Sequence, residues 1–267
     1  MRCEAGVTVA QTSRIELKSP REIDLLRKAG QVSAEILLAL KSKVTSGMTT
    51  KDIDVMAERM MREHGATPSF LNYRGYPATV CTSVNDEVVH AIPGKRRLKD
   101  GDLLSLDIGM FVEGYCGDTA TSWVIGAKAT PEQEKLMKAG RESLQASIDA
   151  SLFGNRLGDV SYAMQSVVEK AGFNVVREYG GHGIGRAMHE EPHVANFGTP
   201  RTGIRLVEGL VLALEVMANA GTAAIVHKND GWTVLTADGK PSVHYEKMVA
   251  ITEKGTEVLT PHGDERA

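Results

Sequence analysis

Cysteine is scarce in this chain. Its three residues, Cys3, Cys81 and Cys116, are odd in number and widely spaced, which argues against a disulfide framework and for free thiols in a reducing compartment. Long apolar runs are missing as well. No stretch reaches the ~18 residues of a membrane span, and the opening MRCEAGVTVAQTSRIELK has no apolar core of a secretory signal. There is no excess of one charge either: 31 Lys and Arg stand against 34 Asp and Glu, and a pI near 6.3 gives no basis for nonspecific binding to DNA. The one notable basic run, Lys95, Arg96, Arg97 and Lys99, reads as a solvated loop, with contact to ribosomal RNA as the lesser alternative. These absences describe a cytoplasmic protein without DNA or membrane partners, and a monomer is expected. Residues 1–18 read as a flexible tail.

What is present suffices for a large core. Apolar residues make up 42% of 267 and charged residues 24%, so neither disorder nor a coiled coil is indicated.

The chain repeats itself. SPREIDLLRKAG (19–30) and TPEQEKLMKAG (130–140) each begin with an N-cap hydroxyl, a proline at the first helical position and Glu or Gln at the third. Gly47 with Asp52-Ile53 and Gly154 with Asp159-Val160 open a second helix in each half, 107 residues apart. LKDGDLLSLD (98–107) aligns without gaps on LVEGLVLALE (206–215), placing Asp107 on Glu215. The expected fold class is therefore α+β: duplicated helix–helix–strand units in one pseudo-two-fold domain, with helices covering antiparallel sheet. The single domain spans 19–267, with halves of about 19–129 and 130–267.

The duplication directs attention to acidic residues in apolar strands. DLLSLDIGMFV (102–112) and YCGDTATSWVI (115–125) flank Glu113-Gly114, a two-residue hairpin turn. That turn sets Gly109 opposite Asp118 and makes Asp107 and Asp118 diagonal neighbours on one face. Two surface aspartates near a turn are the bland alternative. The apolar setting of Asp107 favours a cation instead, because buried acidic pairs need compensation. YGGHGIGRAMHEEPHV (179–194) adds His182 among Gly181, Gly183 and Gly185, a glycine density that implies close backbone approach. Glu215 ends LVLALE, and Glu246 lies in the β-prone VHYEKMVAI. Four carboxylates and an imidazole make an oxygen-rich donor set. It suits two divalent ions such as Mn²⁺, Fe²⁺, Co²⁺ or Zn²⁺ sharing carboxylates.

At these motifs, with YRGYPATVCTSVNDEVVHAIP (73–93) and HYEKM (244–248), the chain resembles the type I methionine aminopeptidases, in the minimal bacterial form of the "pita-bread" metallohydrolase family. The resemblance implies removal of the N-terminal methionine from nascent polypeptides when the second residue is small. A hydroxide bridging two metals would attack the scissile carbonyl. Asp107 would chelate the first metal, Asp118 and Glu246 would bridge, and His182 and Glu215 would hold the second. Glu215 would also accept the water's proton, His189 would polarise the carbonyl, and His90 would bond near the scissile nitrogen. Tyr73, Tyr76, Cys81 and Trp232, with Phe70 and Met188, would line the methionine pocket. The chain departs from the family pattern at Val216 (usually Pro), His244 (Gln), Lys247 (His), Ala91 (Gly) and Arg74 (His). Prolidases share the ligand pattern but usually carry an extra N-terminal domain, for which the residues before Ser19 are too few.

Overall fold

The computed structural model describes residues 15–262; Cys3 and most of the expected tail lie outside them. Both long helices start as their sequences dictate. Helix α1, Pro20–Lys43, is capped by Ser19, whose backbone N–H donates to Glu22 at 2.9 Å. In α3, Pro131–Ala150, Thr130 and Gln133 repeat the device at 2.9 Å. The second helix of each half, α2 at Thr50–Glu63 and α4 at Leu157–Lys170, follows the same plan. Entry to each half's central strand turns on a left-handed glycine at equivalent positions, Gly101 (φ 90°) and Gly209 (φ 86°), where an L side chain would be strained.

In the first half the strands are β1 (Thr67–Pro68), β2 (Val80–Val84), β3 (Glu87–Val89), β4 (Leu103–Val112) and β5 (Tyr115–Val124). In the second half they are β6 (Asn174–Val175), β7 (Gly180–Gly183), β8 (Glu190–Ala195), β9 (Val211–Asn219), β10 (Ile225–His227), β11 (Val234–Thr236), β12 (Ser242–Thr252) and β13 (Gly255–Val258). The main sheet runs β1-β4-β5-β12-β9-β7-β8, with β2, β6 and β13 attached to β4, β9 and β12. Its described pairings are antiparallel. A small sheet, β10-β11-β3, stands apart from it.

Strand alternation divides the chemistry between the two faces. Leu104, Leu106 and Ile108 of β4 pack with Leu37, Leu40, Ile53 and Met61 of α1 and α2. Leu212, Leu214 and Val216 of β9 pack with Leu136, Leu144, Val160 and Met164 of α3 and α4. Each such side chain, fully buried, contributes ~1.5–3 kcal/mol. The intervening residues, Asp107 and Glu215 among them, face the other way. The duplicated α+β, pseudo-two-fold organisation is thus the one read from the sequence.

Two expectations need correction. Residues 15–18 are not free: Lys18 is buried, its N–H donates to Gly209 O at 2.7 Å, and Ile15 packs on the second-half core. The basic run is exposed but not merely solvated, since Arg97 donates to Gly47 O at 2.8 Å and Arg96 pairs with Glu87 at 3.2 Å.

Candidate metal centre

Register alone gathers the acidic residues. The turn at Glu113 and Gly114 has positive φ at both positions (50° and 81°), as the tight hairpin requires. It pairs Val112 with Tyr115 and Gly109 with Asp118. Asp107 pairs with Ala120, Ala120 with Glu246, and Glu246 with Glu215. Three carboxylates therefore lie in one row across β4, β12 and β9, with Ala120 leaving room between them. Asp118 is two residues from Ala120. His182 pairs with Ala213, two residues from Glu215. The period of two puts all five side chains on one face.

This cluster is out of water and incompletely satisfied. Asp107, Asp118, His182 and Glu246 are at most 9% exposed, and Oδ1 of both aspartates lacks a hydrogen-bond partner. Unpaired buried carboxylate oxygen is costly, and coordination to a cation removes the cost. Ligand atoms of Asp118, His182 and Glu246 all lie within 4.8 Å of one another. His182 Nδ1–H donates to Gly183 O at 3.0 Å, which leaves Nε2 as its ligand atom. The donor set fits divalent metal.

Without metal, burial dominates the electrostatics. It lifts the Asp107 carboxyl to about 7. Burial followed by mutual repulsion drives Asp118 and Glu246 well above the usual carboxylate range. Glu215 behaves differently. Burial pushes it up, but a 3.0 Å hydrogen bond from His244 Nε2 and nearby imidazoles more than offset this and hold it at about 2. Desolvation holds His90 neutral, at about 4. His189, reached by solvent from the cleft, is also depressed, by partial burial and by His182 beside it.

All thirteen sequence-predicted site residues line one cavity of about 300 Å³. His90 follows β3 in a left-handed conformation (φ 58°), the kind of strain that tends to persist at functional sites. Its ring meets Tyr179 edge-on at 5.3 Å. His189 lies 4.2 Å from His182, ring to ring, and its Nδ1 is 2.9 Å from Tyr73 Oη. Phe70, Tyr76, Cys81 and Met188 form a buried apolar wall, with Tyr73 and Trp232 packed against it. Tyr76 is both core and lining: its hydroxyl donates to Val80 O and Ala91 O, each at 3.1 Å, and its ring meets Trp232 at 77°. Burial pushes the Cys81 thiol up and keeps it neutral.

Five further residues line the cavity without having been singled out for it: Arg74, Glu178, Tyr179, Gly180 and His193. Tyr179 stands three residues before His182, inside the motif already noted. His244, which holds Glu215, lies two residues before Glu246, so strand period alone puts it on the same face.

The chain matches metallopeptidase family M24 over residues 24–253. It is 48% identical over 246 residues to the methionine aminopeptidase of Clostridium perfringens, covering 92% of this chain and 98% of that one. It superposes on the crystal structure of methionine aminopeptidase from Rickettsia prowazekii with a TM-score of 0.91, at 34% identity, covering 93% of this chain and 100% of the other. Prolidase from Pyrococcus furiosus, at 21% identity and a TM-score of 0.75, is alike in fold; the match covers 94% of this chain and 66% of that one.

Proposed function

The chain belongs to the methionine aminopeptidases of metallopeptidase family M24, and from that premise we propose how its residues divide the work of cleaving an N-terminal methionine. Removal of that methionine with divalent metal is its reaction. We assign two ions per chain, drawn from Co, Mn, Fe and Zn. Asp107 would hold the first, Asp118 and Glu246 would be shared, and His182 and Glu215 would hold the second. When bound, the ions lower the pKa of a water and polarise the scissile carbonyl.

The remaining work falls to side chains. Glu215, kept ionised by His244, accepts the proton of the attacking water. His189 donates to the carbonyl oxygen as it gains charge, oriented by Tyr73 at its other nitrogen. His90 bonds near the scissile nitrogen. The wall of Phe70, Tyr76, Cys81, Met188 and Trp232 takes an unbranched thioether, which packs well on aromatic rings and a neutral thiol. Because His90 and His189 must both reach one amide, the cleft beyond the scissile bond admits only small second residues. Nascent chains emerging in the cytoplasm are the substrates, met by a monomer in at most transient contact with the ribosome.

The observation that carries this reading is the meeting of buried, under-compensated carboxylates with an apolar wall that includes a thiol, a thioether and aromatic rings in one cavity. The test is turnover of Met-Ala-Ser, Met-Lys-Ser, Leu-Ala-Ser and Ala-Pro peptides during a metal titration. Cleavage of Met-Ala-Ser should exceed the rest, with activity rising up to two ions per chain. Equal kcat/KM for Leu- and Met-initiated peptides, or saturation at one ion, would overturn the assignments.

A further inference from the structure

The segment before α1 reaches the catalytic loop. Lys18 is 7% exposed, and its ammonium pairs at 2.5 Å with Glu190 Oε2, both side chains largely out of water. Glu16, mostly exposed, stands 3.7 Å from the same ammonium. Glu190 directly follows His189, and its other oxygen accepts the Ala187 N–H at 3.1 Å. Gly185 N–H donates to Ala187 O at 3.1 Å, and Gly185 O accepts Cys116 N–H of β5 at 2.9 Å. The loop between β7 and β8 is thus tied to the sheet at one end and to Lys18 at the other. A Cβ on Gly185 would lie 2.5 Å from Glu190 Oε1 and 2.7 Å from Lys18 Nζ. The last glycine of the GGHGIG run is therefore explained by this ion pair rather than by metal or substrate.

We propose that Lys18 is a positioning residue for His189: by pairing with Glu190 it fixes the 184–190 loop, so that the His189 ring is held in the cleft beside Tyr73. The inference rests on the role given above to His189, and extends it to a residue far from the cavity in sequence. A charge-assisted hydrogen bond in low dielectric is strong and directional. Removing one partner leaves the other charge buried and free to draw the loop toward water. His189, one residue away, moves with it.

Three variants of the full chain test this: Lys18→Met, which keeps the stem and removes the charge, Lys18→Arg, and Lys18→Met with Glu190→Gln. For Lys18→Met on Met-Ala-Ser, kcat should fall roughly 10- to 100-fold, as expected for a small misplacement of a catalytic group. KM should stay within about threefold, since ground-state contacts are untouched, and metal content should be unchanged. Amide hydrogen exchange over 185–190 should accelerate. Lys18→Arg should restore both kcat and protection. The double variant, with no buried charge left over, should fold at wild-type yield yet keep the kcat deficit. Wild-type kcat in Lys18→Met, unchanged exchange over 185–190, or equal losses in Lys18→Met and Lys18→Arg would each overturn the proposal. An inactive wild-type chain would sink the functional reading instead, and exchange would still decide whether Lys18 orders the loop.

Discussion

In the role proposed for Glu215, a carboxylate that acts as a base beside divalent metal has to stay ionised after it leaves water. Of the four carboxylates gathered on this face, Glu215 is the one with a hydrogen-bonding neighbour suited to that, His244 at 3.0 Å. Where the family usually has Gln, this chain has His; both can donate one hydrogen bond from the same strand position. Groups that orient metal ligands commonly account for 10–100-fold in metal affinity. His244→Ala should therefore weaken binding of the second ion about 10- to 100-fold in a metal titration, while His244→Gln should stay near wild type. Equal affinities in all three would show that Glu215 needs no donor. The contribution proposed for His189 is different, because its partner would appear only as the carbonyl oxygen becomes anionic. His189→Ala should lower kcat by ~10²–10³ with little change in KM; a change confined to KM would reduce His189 to a substrate contact. Asp107 and Asp118 were legible in the sequence because turn chemistry fixes a hairpin's register. His244 was noticed only as a departure, though its two-residue spacing from Glu246 pointed to the same face. Arg74 too was noticed only as a departure, and Tyr179 drew no attention of its own, since neither residue type announces a cavity wall.

At the scale of elements, the two halves repeat their helix starts, their glycine turns and their central strands, and all of this was legible because each is a local device. The crossings were not. Nothing local to β12 says that it lies between β5 and β9, yet that placement brings Glu246 opposite Glu215. The small β10-β11-β3 sheet, which carries His90 and Trp232 at its ends, also escaped notice. Its strands are three residues each, too short for a periodic pattern. Nor did the tail reveal that its last residues dock, because Lys18 depends on a partner 172 positions away. The repeated KAG motif sharpens a prediction about packing. Gly30 and Gly140 occupy equivalent places in α1 and α3. A Cβ on Gly30 would meet the Leu259 carbonyl oxygen at 2.3 Å, whereas one on Gly140 would meet the Tyr245 ring at 2.7 Å. Alanine gains up to ~1 kcal/mol in helix propensity, but overpacking against backbone costs ~1–3 kcal/mol or more. Gly30→Ala should accordingly lose stability in urea titration, and more of it than Gly140→Ala, because a ring can tilt and a backbone carbonyl held in the segment just after β13 cannot. A Gly30→Ala protein more stable than wild type would refute the close approach of α1 to the segment that follows β13.

For the whole molecule, the proposed metal centre should be a stability element as well as a chemical one. In the metal-free fold burial holds the Asp107 proton up to about pH 7, whereas the unfolded chain releases it near 3.8. The metal-free fold therefore binds more protons than the unfolded chain across that window. It loses stability as pH rises from about 4 to 7, on the order of 4 kcal/mol from Asp107 alone. Asp118 and Glu246, raised further by burial and by the carboxylates around them, extend the loss to higher pH. His90 works in the opposite sense. Burial lowers it from 6.5 to about 4, so the fold gains stability as pH rises through that interval. His90 lies outside the proposed ligand set, so its contribution should be shared by the loaded and stripped proteins. The difference between the two reports on the site itself, above all on its raised carboxylates, which bound metal would keep ionised and compensated. Melting the loaded and chelator-stripped protein side by side should show a gap in Tm that is small at pH 5 and widens steadily to pH 8. A gap that is constant with pH, or larger at pH 5, would mean that the acidic row is solvated and that the metals contribute nothing to holding the two halves around it.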